Sequence, residues 1–410
     1  MLVVIDALRA DHLGINGFTE NTSPVIDGLA RRGVNFPRAY SHESYTMASI
    51  PSLFTSRYPV DHGVFHDRPG VDKLSEEEVT IAEVFADSGY ATAAFVFNPH
   101  LAAKYNFGQG FDLYDSSKIG LSGRTPSERW ETAKRIETKS LEWLATADDP
   151  FFLYLHYRDV HVPYVPPPPY DAMFPVADED PRAKKRGESW SLYKGAIAYT
   201  DAQVGKLVAA ITARSPRTLF VITADHGEAF GEHGRRRHGN SLYEEEVRVP
   251  LIFYDPAHEL RVVRGEAVGL VDVAPTLLDL VGLPVPPTMK GRSLRLADGA
   301  RPVFVGGAHG RGAIVDGDLK LYRHKKLRSL QIYDRRTDAA SLPFVEELYD
   351  LASDPAERVD LSEKRAEAAA ELRSRLLAFE ATAAGRTPDA EPLDAETIER
   401  LRALGYMDEN

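Results

Sequence analysis

Three acidic or imidazole-bearing points in this chain fall where a run of apolar residues stops. Asp6 follows LVVI, the pair Asp225–His226 follows TLFVITA, and His161 comes just after PFFLYLHY. Neighbouring strands of an open α/β sheet end on one edge, and that edge is where such sheets hold ligands. A carboxylate beside an imidazole at that edge suits a divalent cation, and the nitrogen favours a borderline ion over a purely oxygen-seeking one. ITADHGEAFGEHG carries the sharpest of these signals. Its plainer reading is a capping Asp and a hydrogen-bonded His.

A second constellation is SYTMASIPSLFTSRYPVDHGV, residues 44–64. Thr46 stands before what reads as a helix start, with Ser49 as cap and Pro51 in the first turn. A hydroxyl there meets unpaired N–H groups and the positive end of the helix dipole, a setting that receives an anion. Threonine alone is a poor nucleophile. Coordination to a divalent metal lowers its pKa and makes attack feasible. The plainer reading makes Thr46 a helix residue and nothing more.

These residues need a scaffold, and the apolar pattern predicts one. Leu2–Ile5 reads as a buried parallel strand. A helix is expected over 22–33, with Thr22 or Ser23 as cap and Gly33 as terminator. Helix 79–89 precedes strand 90–97, helix 126–147 precedes strand 150–157, and helix 191–213 precedes strand 218–225. After Pro250 comes the strand LIFYD, then the helix VDVAPTLLDLVGL closed by Gly282. This alternation predicts an α/β fold with a large, mostly parallel, doubly wound sheet flanked by helices. VFVGGA, GAIVDG, LKLYRH and LQIYD, between 300 and 350, predict a short antiparallel sheet in a smaller C-terminal α+β lobe. A helix over 362–382 and a terminal helix in ERLRALGYMDEN complete the chain. The expected division is a catalytic domain over 1–300 and a packed subdomain over 301–410. The Pro-rich loop 158–190 is long enough to be functional.

Composition narrows the classes. The 410 residues are 43% hydrophobic, enough for a sizeable core. A net charge of −12, from 61 acidic against 49 basic residues, disfavours nucleic acid or an anionic membrane as partner. An anionic substrate therefore needs a local positive site. There is no cysteine, hence no disulfide, no Cys-ligated zinc and no cysteine nucleophile. No run approaches the roughly 20 apolar residues of a membrane span. The first residues lack a basic leader, so the expected location, taking Met1 as the start, is the cytoplasm.

Taken together and in order, VVIDALRADHLG, TSPVIDGLARRGVNF, SLFTSRYPVDHGV, ITADHGE and HGNSLYEEEVRVPLIF resemble blocks of the sulfatase branch of the alkaline phosphatase superfamily. VDVAPTLLDLVGL with GRSL, ELYDLASDPAERVDL and RLRALGY extend the resemblance to nearly the whole chain. It implies an alkaline phosphatase-like fold and a metal-dependent hydrolase of sulfate or phosphate-type esters. Asp6, Asp225 and His226 match metal-binding positions. Thr46, counted back from SLFTSR, matches the nucleophile, whose oxygen also meets the metal. Sulfatases proper carry there a cysteine or serine oxidised to formylglycine, which a threonine cannot become. Related phosphotransferases and phosphodiesterases use an unmodified threonine. Two polar residues of the family's pattern are replaced, by Ala7 and Ile50.

One divalent ion is implied, Mn²⁺ or Zn²⁺ being favoured by His226, with Ca²⁺ and Mg²⁺ open. On the substrate side, His100 in FVFNPHL matches the His of a Lys-x-x-His-like segment that here lacks its Lys. His161 matches the D-x-H-x-P-Y block. His238 sits where the family often has a Lys, and an imidazole there suits protonation of a leaving oxygen. The plainer readings make His100 loop structure, His62 and His233 turn residues, Arg235–Arg237 a solvated charge run and Glu244–Glu246 a solvated helix face. The expectation is an ester hydrolase working through Thr46 on a small anionic ester, phosphorus esters favoured. The alternatives are a group transferase to an alcohol, or a catalytically weak, metal-stabilised binding protein. A homo-oligomer is left open.

Overall fold

Strand β1 (Leu2–Ile5) is apolar and buried at all four positions and lies between two parallel strands, the pattern of a sheet covered on both faces. A computed structural model of the chain describes residues 1–65, 71–116, 132–175, 189–296, 299–308, 310–325, 343–382 and 390–391. The further strands of the large sheet are β2 (Val34–Asn35), β3 (Ala91–Val96), β4 (Leu113–Asp115), β5 (Phe151–Tyr157), β6 (Phe220–Thr223), β7 (Leu251–Tyr254) and β8 (Val262–Val263). Their order is β8-β2-β7-β6-β1-β5-β3-β4.

The run β6-β1-β5-β3-β4 is wholly parallel, as expected. β7 runs antiparallel to β6 and β2, so the sheet is mixed. Between β6 and β7 the only α-helix is the four-residue Glu244–Val247, the rest of the segment forming two-residue strands and one short 3-10 turn. A parallel return needs a crossover of a dozen or more residues, usually a helix. Val4 pairs with both His156 and Thr223. Asp6 and Asp225, each two residues further on, therefore leave the sheet at the same level.

The flanking helices are α1 (Pro24–Arg32), α2 (Thr46–Thr55), α3 (Ile81–Asp87), α4 (Thr132–Leu144), α5 (Trp190–Arg214) and α6 (Val273–Leu280). The expected caps of α1 need correction. Ser23 occupies the cap position, but its hydroxyl lies 3.1 Å from Asp27, and the Thr22 hydroxyl donates to His12 O. Asp201 of α5 accepts the first helical N–H groups instead, at 3.0 Å from Val25 and 2.7 Å from Ile26. Gly33 ends α1 as expected, and Gly282, at φ +75°, follows α6. The first part of the expected helix 126–147 lies outside the described residues.

The C-terminal part is the expected antiparallel sheet: β9 (Val303–Ala308), β10 (Arg311–Asp316), β11 (Leu319–Lys325) and β12 (Phe344–Asp350), with α7 (Ala366–Glu380). Its side chains alternate between faces. Ile314, Leu321 and Leu348 pack on Leu372 and Leu376 of α7. Val303, Val315 and Tyr322 pack on Tyr40, Leu242 and Val247. The small sheet thus braces the segment that follows His238. The runs LQIYD and RALGY fall outside the described residues. No described helix is long and apolar enough to cross a membrane.

Candidate active site and metal centre

Asp6, Asp225 and His226 are fully buried, and one ligand atom from each falls within 4.8 Å of the others. Each carboxylate has one occupied and one open oxygen. Asp225 Oδ1 accepts the N–H groups of Ala7 (3.2 Å) and His226 (3.0 Å). Asp6 Oδ2 accepts from Asn98 Nδ2 at 2.8 Å. Asp6 Oδ1 and Asp225 Oδ2 receive no hydrogen bond of sound geometry from a described residue, and each lies 3.6 Å from His226 Nε2. A buried carboxylate oxygen left without a donor is costly. Ligand atoms about 2.1 Å from an ion in tetrahedral coordination lie about 3.4 Å from one another. The donor set and its spacing therefore fit a divalent cation.

His226 is aimed by its other nitrogen. Nδ1 lies 2.9 Å from Gly227 O, so it carries the proton and Nε2 presents a lone pair to the carboxylates. Gly227 has to be glycine, because a Cβ there would sit 2.1 Å from Glu245 O. That close approach lets Gly227 N and Glu228 N donate to the carbonyls of Glu246 and Glu245.

Thr46 opens α2 and faces this cluster, its Oγ1 3.2 Å from His226 Nε2 and 3.4 Å from Asn98 Nδ2. The helix starts earlier than expected. Tyr45 O already accepts Ala48 N and Ser49 N, so Ser49 lies inside the helix and Pro51 well past its first turn. Ser49 does not cap; its hydroxyl donates to Asp225 O at 2.7 Å and ties α2 to the segment that carries Asp225 and His226. Ala7 sits at φ +61°, a costly conformation for a residue with a Cβ, and that bend brings its N–H to Asp225. Ile50 is buried in the hydrophobic core and offers no charge.

The electrostatics of the pair are uneven. Burial would raise Asp6, but His161, His156 and His226 outweigh it and hold Asp6 well below the carboxylate range. Asp225 is raised, by burial first and then by the Asp6 charge, with His226 and His156 opposing. Two carboxylates this close resist ionising together unless a cation joins them.

Around this centre stand the expected histidines. His238 and His226 have ring centroids 4.2 Å apart, and His161 lies 4.8 Å from His238. His238 Nδ1 is held by Glu228, whose other oxygen takes the Tyr164 hydroxyl. Burial pushes His161 well below the ordinary imidazole range; Arg158, 3.1 Å from Nδ1, and His238 add to this while Asp6 opposes it. His100 is set further back, its Nε2 2.8 Å from the Tyr45 hydroxyl. Its link to Thr46 is through the neighbouring Tyr45 and Asn98.

His156 and Glu228 escape the sequence reading. His156 is an imidazole inside an apolar strand, and Glu228 follows the DHG motif by one residue; those were the available signals. Glu244–Glu246 is not a solvated face. All three are buried: Lys320 meets Glu244 at 3.0 Å and Glu357 at 2.9 Å, and Glu246 accepts from the backbone of Asn240 and Ser241. His233 is more than a turn residue, since it joins Glu245 to Glu357 O.

A sequence profile of the sulfatase family matches residues 1–283. The chain belongs to the sulfatase family. An arylsulfatase of Clostridium perfringens is 26% identical over 446 aligned residues, covering 88% of this chain and 89% of that protein. Human iduronate 2-sulfatase is 23% identical, covering 70% of this chain and 69% of that protein. Among solved structures, the phosphonate monoester hydrolase of Agrobacterium radiobacter superposes with a TM-score of 0.71 at 21% identity, over 93% of this chain and 95% of that one. That last likeness is one of fold, the alkaline phosphatase-like sulfatase fold. The chain is accordingly a sulfatase-family ester hydrolase acting on sulfuric or phosphoric esters, in a family whose members use a divalent metal ion.

Proposed function

We propose that this sulfatase-family chain hydrolyses phosphorus esters, with unmodified Thr46 as nucleophile and one Mn²⁺ or Zn²⁺ ion held by Asp6, Asp225, His226 and the Thr46 oxygen. The observation that carries the reading is Thr46 Oγ1 at the start of α2, 3.2 Å from His226 Nε2, in a chain without cysteine. Threonine is no precursor of the aldehyde that eases sulfate release, whereas a plain hydroxyl serves phosphoryl transfer.

The bound ion supplies positive charge that lowers the pKa of the Thr46 hydroxyl and offsets the anionic oxygens of the ester. Asn98 Nδ2, 3.4 Å from Thr46 Oγ1, holds an equatorial oxygen. Thr46 Oγ1, having lost its proton to solvent before the ester binds, forms the new bond to phosphorus as the bond to the leaving oxygen breaks. His238, oriented by Glu228, gives its proton to that oxygen. Water then attacks the phosphothreonine, returns a proton to His238 and releases the anion. His161, beside Arg158, orients the ester.

The test is a panel of aryl phosphate, aryl phosphodiester, phenyl phosphonate and aryl sulfate sharing one leaving group, each assayed with Mn²⁺ and with Zn²⁺. The expected result is a phosphorus ester ahead of the sulfate by at least about tenfold in kcat/KM, about 1.4 kcal/mol in transition-state binding. Sulfate turnover above that of every phosphorus ester would overturn the reading.

A further inference from the structure

His156 reaches the metal centre from within β5 rather than from a strand end. Its position in register with Val4 puts its side chain beneath Asp6 and Asp225. It is fully buried, with Nε2 3.4 Å from Asp6 Oδ2 and 3.9 Å from Asp225 Oδ2. Its Nδ1 lies 2.9 Å from the Tyr154 hydroxyl.

The atoms of Asp6 divide by function. Oδ1 is the open oxygen that faces His226 Nε2. Oδ2 is the oxygen turned to Asn98, and His156 approaches that one. We propose that His156 is a positioning residue that fixes Asp6 as a one-oxygen ligand and so sets the site's preference for a small borderline cation over Ca²⁺. The inference rests on the reading of Asp6, Asp225 and His226 as the metal site.

The hydrogen bonds give a consistent direction. An ionised Asp6 Oδ2 can only accept, which places the imidazole proton on Nε2 and leaves Nδ1 to accept from the Tyr154 hydroxyl. That N–H faces Asp6 Oδ2 and, further off, Asp225 Oδ2. With Asn98 it gives Oδ2 two donors, and Oδ2 is then a poor competitor for the ion. Ca²⁺ takes six to eight oxygens and commonly two from one carboxylate. Zn²⁺ is satisfied by four ligands. Ala7 supplies no carboxylate, so one oxygen from each Asp, one nitrogen and the Thr46 oxygen make a four-atom set. His156 thereby converts a thin ligand set into a selective one.

Metal-free wild type, His156→Ala, His156→Gln and Tyr154→Phe are titrated calorimetrically with Zn²⁺, Mn²⁺ and Ca²⁺, after circular dichroism establishes that each is folded. Loss of such an outer partner weakens metal binding by about 10–100-fold. His156→Ala is expected to lose that much Zn²⁺ affinity and to narrow the Zn²⁺-to-Ca²⁺ ratio by at least tenfold. His156→Gln, which keeps an N–H donor, restores most of the ratio, and Tyr154→Phe moves it in the same direction as Ala by less. An unchanged ratio in both His156→Ala and Tyr154→Phe would overturn the proposal. So would a Cu²⁺-loaded wild type whose paramagnetic resonance counts two imidazole nitrogens and His156→Ala only one, since His156 would then be a ligand. A folded wild type that binds no ion is a separate result, and it removes the metal reading itself.

Discussion

His238 Nδ1 lies 3.0 Å from Glu228 Oε1, and Glu228 Oε2 accepts the Tyr164 hydroxyl at 2.6 Å. The carboxylate is fully buried and its two oxygens are both committed, so it holds one imidazole orientation. A proton donor matters in proportion to how badly the leaving group needs a proton. Glu228→Gln is expected to lower kcat by roughly 10²-fold on an alkyl ester, within the range for general acid catalysis. The loss on a nitrophenyl ester should be several-fold smaller. Equal losses on both esters would mean that Glu228 supports the loop and not the proton.

Thr46→Ala should remove turnover almost completely, by roughly 10³-fold or more in kcat/KM, because no other hydroxyl replaces the nucleophile. Thr46→Ser keeps the hydroxyl and should retain measurable activity. Rapid acid quench followed by peptide mass spectrometry should find phosphate on the peptide that contains Thr46. Full activity in Thr46→Ala would sink the nucleophile assignment.

The uneven carboxylate pair predicts how the metal-free protein behaves. Adding the preferred ion at about 100 times its Kd should stabilise the fold by about 2.7 kcal/mol. Burial and the Asp6 charge raise Asp225, so protons compete with the ion for this carboxylate more than for an ordinary one. Apparent metal affinity should therefore fall as pH falls through the Asp225 titration. Asp225→Asn should bind the ion far more weakly at every pH. A Kd that does not weaken as pH is lowered from neutrality would contradict this account.

Much of the centre could be read from the chain because strand ends are legible. An apolar β-branched run that stops at Asp6 or at Asp225 fixes where those side chains emerge, and the parallel register does the rest. Thr46 was legible for a different reason, its fixed distance from SLFTSR. What stayed hidden depends on partners remote in sequence. Glu244–Glu246 looks solvated until Lys320, on a strand of the other sheet, is seen to reach Glu244. Ser23 looks like a cap until Asp201 is found at the same N–H groups. His156 reads as one more residue of an apolar strand, and only the pairing with β1 puts it under Asp6.

His233 offers a check on the brace behind the site that involves no substrate. Its ring stacks on Tyr243 at 3.7 Å between centroids, Nδ1 lies 2.8 Å from Glu245 Oε1, and Nε2 lies 3.0 Å from Glu357 O. Two acceptors, one at each nitrogen, require two donors, which only the imidazolium has. Burial lowers the pKa of this group, but the hydrogen bond and charge of Glu245 outweigh it and lift it to about 9. A folded value raised above the unfolded one, about 6.5, gives stability that is full below about 6.5 and is lost as pH climbs through the folded value. Allowing for partial exposure and screening, the contribution is about 1–2 kcal/mol. Urea unfolding of wild type and His233→Gln should therefore differ by about that much at pH 6, and the gap should close toward pH 10, above the raised pKa. A gap of the same size at both ends would show that stacking on Tyr243, and not the charge, is what His233 contributes.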